Sequence, residues 1–186
     1  MKRKSAATSL AMLFTTVFVL GSGPGAQADE HRSVKMTYSG TNVATTINLQ
    51  ANTVTDETHL IGNGSLGAFT FRELHADGAS LQPPVGCFGP NFAVVAGAGV
   101  FTFEDGSLLV VTVADGSGCV DLAAGNAALI VNYQISGGTG RFREASGELM
   151  MSGTLMVVLR NASNAPALLT NTGRMKGTIF GVKHWE

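Results

Sequence analysis

Apolar residues in this chain come in short runs, each closed off by a cluster of Gly, Asp, Asn or Pro, and that punctuation constrains the fold more than any other feature. A glycine inside a helix costs about 1 kcal/mol relative to alanine, and 24 of the 186 residues are glycine. Helical spacing of apolar residues is weak beyond Leu20, so the expected class is all-β, a barrel or a sandwich, and about eight strands fit the length. The runs predict strands over 34–39, 43–49, 66–75, 93–103, 108–114, 127–135, 148–159 and 174–182. Glu104-Asp105-Gly106 and Asp115-Gly116-Ser117-Gly118 carry residues that tolerate positive φ and are expected to be hairpin turns. A single helical turn is expected around 141–145.

The N-terminal segment has a different character. Lys2, Arg3 and Lys4 precede an apolar run from Leu10 to Leu20, then a Gly/Pro-rich break and Ala26-Gln27-Ala28. This is the order of a secretory signal with an A-x-A cleavage site, so residues 1–28 are expected to be removed. The run of 11 residues is too short for the ~20 that cross a bilayer as a helix. What remains, 29–186, is one domain of 158 residues (186 − 28). Removing three of the 12 basic residues leaves 9 against 13 acidic ones, near −4. A chain of that charge has no general attraction for nucleic acid. The two cysteines, Cys87 and Cys119, both enter an exported domain, where disulfides persist, and no C-x-x-C spacing marks them as a redox pair. They are expected to form one bridge between loops.

Several expected strands are apolar on both faces, as in Leu108-Leu109-Val110-Val111-Thr112-Val113 and from Leu149 to Leu159. An antiparallel sheet with one wet face alternates more cleanly. The second apolar face needs cover from a subunit partner, a packed terminus or lipid. Lipid is disfavoured, because membrane barrels carry aromatic girdles and this chain has two Tyr and one Trp. A homo-oligomer is the preferred account.

Residues Ser136-Gly137-Gly138-Thr139-Gly140-Arg141-Phe142-Arg143-Glu144-Ala145-Ser146-Gly147 resemble the G-G-T-G-[RK]-F-x-x-A-x-G motif of the allene oxide cyclase and dirigent barrel superfamily. Gly64-Ser65-Leu66-Gly67-Ala68-Phe69-Thr70 is similar to an L-G-x-F-T element of secreted bacterial barrels of this type, and Lys176-Gly177-Thr178-Ile179-Phe180-Gly181 to their last strand. The resemblance implies an all-β, eight-stranded antiparallel barrel that oligomerises and in which Phe142 plugs one end. Plant members cyclise an unstable fatty-acid epoxide or steer radical coupling, holding an apolar substrate without metal or cofactor. The matched residues are architectural, so no catalytic residue is carried over.

Sought directly, chemistry is sparse. Zinc-ligand spacing, a nucleophile elbow and a phosphate loop are all missing from the sequence, so neither metal nor nucleotide cofactor is implied. His31, His59, His75 and His184 are scattered and read as surface residues. One constellation stands out: Phe69, Phe71, Glu73 and His75 are spaced by two, so they share a face of one strand. Facing a lumen, the two rings would line an apolar ligand and Glu73 and His75 would be the candidate proton-transfer pair. Facing solvent, the pair would end the strand, with Asp77-Gly78 starting a turn. The opposite face, with Ala68, Thr70 and Arg72, could equally be the lumen side. Asn132 and Gln134 alternate with apolar residues and either line a wet cavity as ligand contacts or face water. Met150, Met151, Met156 and Met175 suit a core or subunit contact, or an adaptable ligand wall.

Three functional readings follow. A secreted barrel that binds a small apolar ligand in its lumen without turnover leads, because fold resemblance alone supplies no reaction. A cofactor-free cyclase or isomerase is second, and a non-catalytic scaffold third. A lumen filled by its own side chains would favour the scaffold.

Overall fold

A computed structural model describes residues 31–80 and 82–183. Eight strands, β1 (Arg32–Ala44), β2 (Val54–Gly64), β3 (Phe69–Ala79), β4 (Asn91–Phe103), β5 (Leu108–Asp121), β6 (Asn126–Gly138), β7 (Ser146–Arg160) and β8 (Pro166–Phe180), wind in sequence order into one closed antiparallel barrel. Each strand pairs with its chain neighbour, and β1 closes on β8 from Arg32 opposite Ile179 to Val43 opposite Leu168. This is the expected fold class. The expected signal segment, residues 1–28, and His184 lie outside the described residues.

Eight strands are present, but two of them differ from the expected ones. The stretches 34–39 and 43–44 belong to one strand, β1, while 45–49 lies in the connection that follows it. That connection folds back on β2: Thr45 N–H donates to the Thr55 carbonyl and Leu49 N–H to the Thr55 hydroxyl. β2 itself went unpredicted, because Val-Thr-Asp-Glu-Thr-His-Leu-Ile alternates two partly polar faces and shows no apolar run. Asp115-Gly116-Ser117-Gly118, expected as a turn, continues β5. Its glycines lie opposite large lumen residues: a Cβ at Gly116 would meet Val94 at 2.8 Å, and one at Gly118 would collide with the Phe92 ring. Glu104-Asp105-Gly106 is a turn as expected, with Gly106 at φ 76°.

Alternation fixes the lumen. Val34, Met36 and Tyr38 on β1, and Ala127, Leu129, Val131, Tyr133 and Ile135 on β6, are buried, while residues between them are more exposed. An eight-stranded barrel is just wide enough for side chains to fill it, and here most of the interior is one apolar cluster. Met151 and Met175 belong to that cluster, whereas Met150 and Met156 are on the outer side.

The two ends differ. At one, the G-G-T-G-R-F segment forms a 3-10 turn, Gly140–Phe142, that caps the barrel. Gly140 sits at φ 58°, and a Cβ there would collide with the Ser107 hydroxyl, so no other residue fits without movement. Phe142, fully buried, seats its ring 4.8 Å from that of Phe103. At the other end the connections between β1 and β2, β3 and β4, β5 and β6, and β7 and β8 surround a mouth. There Cys87, in the β3–β4 connection, is bonded to Cys119 near the end of β5, with Cα atoms 5.7 Å apart. Val120 N–H donates to the Pro90 carbonyl beside it. Such a bond is what a chain folding in an oxidising compartment forms. Among the described residues no helix is long and apolar enough to cross a membrane.

Candidate functional site

From the capped end to the mouth, the lumen passes through three layers. The first is aromatic. Phe69, Phe71, Phe101 and Phe103 come from the paired stretches of β3 and β4, with Phe71 and Phe101 ring centroids 4.3 Å apart and Phe69 and Phe101 5.3 Å apart. Phe142 extends the stack, and the Arg141 guanidinium lies over the Phe103 and Phe142 rings at 4.8 and 4.6 Å. Arg141 is held in place by Asp105, 3.1 Å away, and by donating to the Leu66 carbonyl at 2.6 Å. These rings pack against one another in the capped end.

The second layer is polar. Tyr133 donates its hydroxyl to Glu73 Oε2 at 3.0 Å, and His75 Nδ1 stands 3.5 Å from the same oxygen. Thr58, across the β2–β3 ladder from Glu73, accepts from Asn42 Nδ2 at 2.7 Å; Asn42 Oδ1 in turn accepts from Asn171 Nδ2 at 3.0 Å. The Tyr38 hydroxyl is buried without a partner. Burial, reinforced by the charge of Glu73, pushes both tyrosines above their ordinary range, so they remain donors. Space for this layer comes from Gly97 and Gly99 on β4, across from His75 and Glu73: a Cβ at Gly97 would lie 2.8 Å from the His75 Cβ, and one at Gly99 2.5 Å from the Phe71 ring.

The third layer is a cavity of about 460 Å³ open at the mouth. Its walls are mostly apolar, from Phe92, Val120, Leu129, Leu155 and Leu169, with Asp121, Asn126 and Arg160 also in the lining, and its floor is Asn42, Asp56, His75 and Asp77. Asp56 pairs directly with His75 across β2 and β3, and Asp77 is two residues further along β3. A β-bulge at Val95 follows on β4, so that Val94 also faces inward, opposite Asp77. His75 Nε2 is 3.8 Å from Asp77 Oδ1, and the donor atoms of Asp56, His75 and Asp77 all lie within 4.8 Å of one another. Burial works against a charge on His75, but Glu73, with Asp77 and Asp56, more than offsets it and lifts the imidazole to about 9. Burial raises Asp77 to about 7, against the pull of His75, and raises Asp56 as well.

The phase of β3 is therefore settled. Phe69, Phe71, Glu73 and His75 face the lumen, and Thr70 and Arg72 are exposed outside. Glu73 and His75, each 3% exposed, are not a solvated strand end, and His75 is not the expected surface histidine, unlike the exposed His31 and His59. The expected ligand wall is corrected in part. Phe69 and Phe71 do face inward, but they pack against other rings in the capped end and do not border the cavity. Asn132 and Gln134 lie on the outer face, where they donate to Asp115 Oδ1 at 2.7 Å and Glu148 Oε1 at 3.0 Å. They border a larger, open groove of about 840 Å³ that also includes Lys176. That groove is a surface depression of mixed polar and apolar lining, whereas the mouth cavity is more recessed and mostly apolar, the usual character of a small-molecule site.

Asp56, Asp77, Asn42, Thr58, Tyr38, Tyr133 and Asn171 were not read as site residues. For Asp77 a signal existed, since it continues the spacing by two from Phe69 to His75; the following Gly78 made it look like a turn. The rest are neighbours across the barrel, with no local signature.

No family model and no curated protein matches the sequence. Among solved structures the chain is similar to a pterocarpan synthase dirigent protein, at 13% identity and a TM-score of 0.46 over 95% of this chain and 100% of that one.

Proposed function

We propose that this chain is an exported barrel protein that holds a small, largely apolar molecule at the open end of its lumen without turning it over. The observation that carries this reading is the 460 Å³ cavity with one mouth, apolar walls and a polar floor. Its volume and lining fall within the range of small-molecule sites. A polar group on the ligand would meet Asn42, Asp56, His75 or Asp77. Export rests on the N-terminal sequence pattern together with the disulfide. The exposed Met156, Val158 and Leu159 on the outer side of β7 are the surface on which copies of the chain would meet.

The test is titration of the disulfide-bonded protein, in chelator, with the fluorescent apolar probe N-phenyl-1-naphthylamine. Ala127, buried on the cavity wall, gives the decisive variant: Ala127→Phe fills the cavity and should weaken probe binding at least tenfold. Phe71→Ala, at the capped end, should change it little in a variant that remains folded. A wild-type protein that binds no apolar probe would reject the reading.

A cofactor-free cyclase or isomerase is the second reading, favoured by one observation: His75 borders the cavity with the Glu73 carboxylate directly behind it. Native mass spectrometry of the protein as exported bears on both readings. A co-purified molecule recovered unchanged after incubation supports binding, and its conversion supports turnover.

A further inference from the structure

We propose that Asp56, His75 and Asp77 form a site for one divalent transition-metal ion on the floor of the mouth cavity. The inference goes beyond ligand binding and does not depend on it.

Two adjacent strands place the donors. Asp56 and His75 are partners in the β2–β3 ladder and Asp77 follows on the lumen side, so all three project from one hydrogen-bonded pair of strands. Their donor atoms lie within 4.8 Å of one another, and His75 Nε2 and Asp77 Oδ1 are 3.8 Å apart. A tetrahedral ion with bonds of ~2.0–2.2 Å holds its donors roughly 3.3–3.6 Å apart, a closure that side-chain torsions supply. At 3.8 Å the imidazole and carboxylate are too far apart for a hydrogen bond, so neither is satisfied by the other.

A second observation points independently to a ligand. His75 is 3% exposed, and neither its Nδ1 nor the buried Asp77 Oδ1 that faces its Nε2 makes a hydrogen bond. Buried polar atoms are normally satisfied. The orientation of the ring explains what is missing. Nδ1 faces Glu73 Oε2, and Tyr133 holds that carboxylate from the other side. A carboxylate behind a histidine favours the tautomer with its proton on Nδ1 and so leaves the Nε2 lone pair for a metal, the outer-shell arrangement of histidine ligands. Nε2 is the nitrogen that faces the two aspartates.

Charge points the same way. Glu73, Asp56 and Asp77 surround a single imidazole, so three carboxylates outnumber the one cation the floor can form. One nitrogen and two oxygens, without a thiolate, suit ions such as Zn²⁺ or Mn²⁺ rather than a soft ion. Three protein ligands leave a coordination position toward the cavity, the arrangement of an ion that meets a water or a bound molecule.

The experiment uses the untagged, disulfide-bonded protein after chelator treatment and dialysis, titrated with Zn²⁺ by calorimetry, with Co²⁺ absorption as a report on coordination. One ion per chain is expected, with the visible absorption of low-coordinate cobalt. Asp77→Asn and His75→Gln should each weaken binding at least tenfold, and His59→Ala, an exposed histidine beside Glu57, should leave it unchanged. Glu73→Gln, which touches no ion, should weaken it by about 10- to 100-fold. Melting in chelator shows whether each variant is folded; should the buried substitutions unfold the barrel, Asp56→Asn at the half-buried position gives the same readout. Absence of stoichiometric binding, or binding that survives substitution at Asp56, His75 and Asp77, would overturn the site. Probe binding measured in chelator reports on the cavity separately, so either idea can fail alone.

Discussion

Replacing Phe142 by Ala tests the link between the glycine-rich segment and the barrel. The side chain is fully buried, 4.8 Å from the Phe103 ring, and covered by the Arg141 guanidinium at 4.6 Å. Removing a buried aromatic leaves a cavity and costs about 3–5 kcal/mol. The lost ring pair belongs to that sum and is worth roughly 0.5–1.5 kcal/mol. The capped end has limited means of collapse, because Phe103 is itself fixed by Phe69 and Phe101 and the turn by Gly140. The upper half of the range is therefore expected. At roughly 2–4 °C per kcal/mol for a domain of this size, the melting temperature should drop by about 8–20 °C. Urea unfolding followed by circular dichroism gives the free energy directly. Phe142→Leu, which keeps most of the volume, should recover more than half of the loss. A cost below about 1 kcal/mol for the alanine variant would mean that the segment rests on the barrel without plugging it.

Other outcomes are equally specific. Thiol labelling of the unreduced, denatured protein should find no free thiol; reduction should destabilise by up to about 3.7 kcal/mol, the loop-closure value for cysteines 32 residues apart, and two labelled cysteines per chain without reductant would contradict the bond. Gly99→Ala should cost about 1–3 kcal/mol, because the new methyl meets the Phe71 ring at 2.5 Å; an unchanged urea midpoint would show that the ring moves aside freely. The metal-free barrel should lose stability as pH rises. His75, lifted from 6.5 to about 9, contributes fully below 6.5 and loses that contribution through 9, and Asp77, raised from 3.8 to about 7, loses stability over that lower span because the folded state holds its proton longer. Urea midpoints in chelator between pH 7 and 9 measure this, and a flat or rising profile in the wild type, or a fall undiminished in His75→Gln, would refute it.

Much of the architecture is legible in the sequence because it is local. Alternation in Phe69–His75 and Ala127–Ile135, turn residues at Glu104–Gly106 and the glycines before Phe142 each act within a few residues. The failures also have physical causes. β2 carries polar residues on its lumen side, Asp56 and Thr58, since they belong to the polar layer, and a strand serving a site loses the apolar signature of a strand serving a core. Gly116 and Gly118 read as a turn because a glycine that makes room for a facing side chain looks, in one dimension, like a glycine that bends the chain. The polar floor was half visible: Glu73 and His75 stood out by spacing, whereas Asp56 joins them only through the β2–β3 register. Asn132 and Gln134 are amides among apolar residues in either orientation, and the β6 phase that turns Tyr133 inward sends them out.

The closing pair of strands also governs how the chain reaches this state. All ladders but one form between consecutive strands, each a hairpin able to assemble as soon as its second half exists. The exception joins Arg32 to Ile179, nearly the full described length apart, and must overcome the entropy of the largest loop in the molecule. Until it forms, β1 and β8 are unpaired edges and the inner face of Phe71, Tyr133 and Met151 stays accessible, a species prone to stick to its own kind. A chain ending before Pro166 would thus be arrested as an open, self-associating sheet rather than a smaller barrel. Slow or incomplete ring closure is the step at which this fold fails.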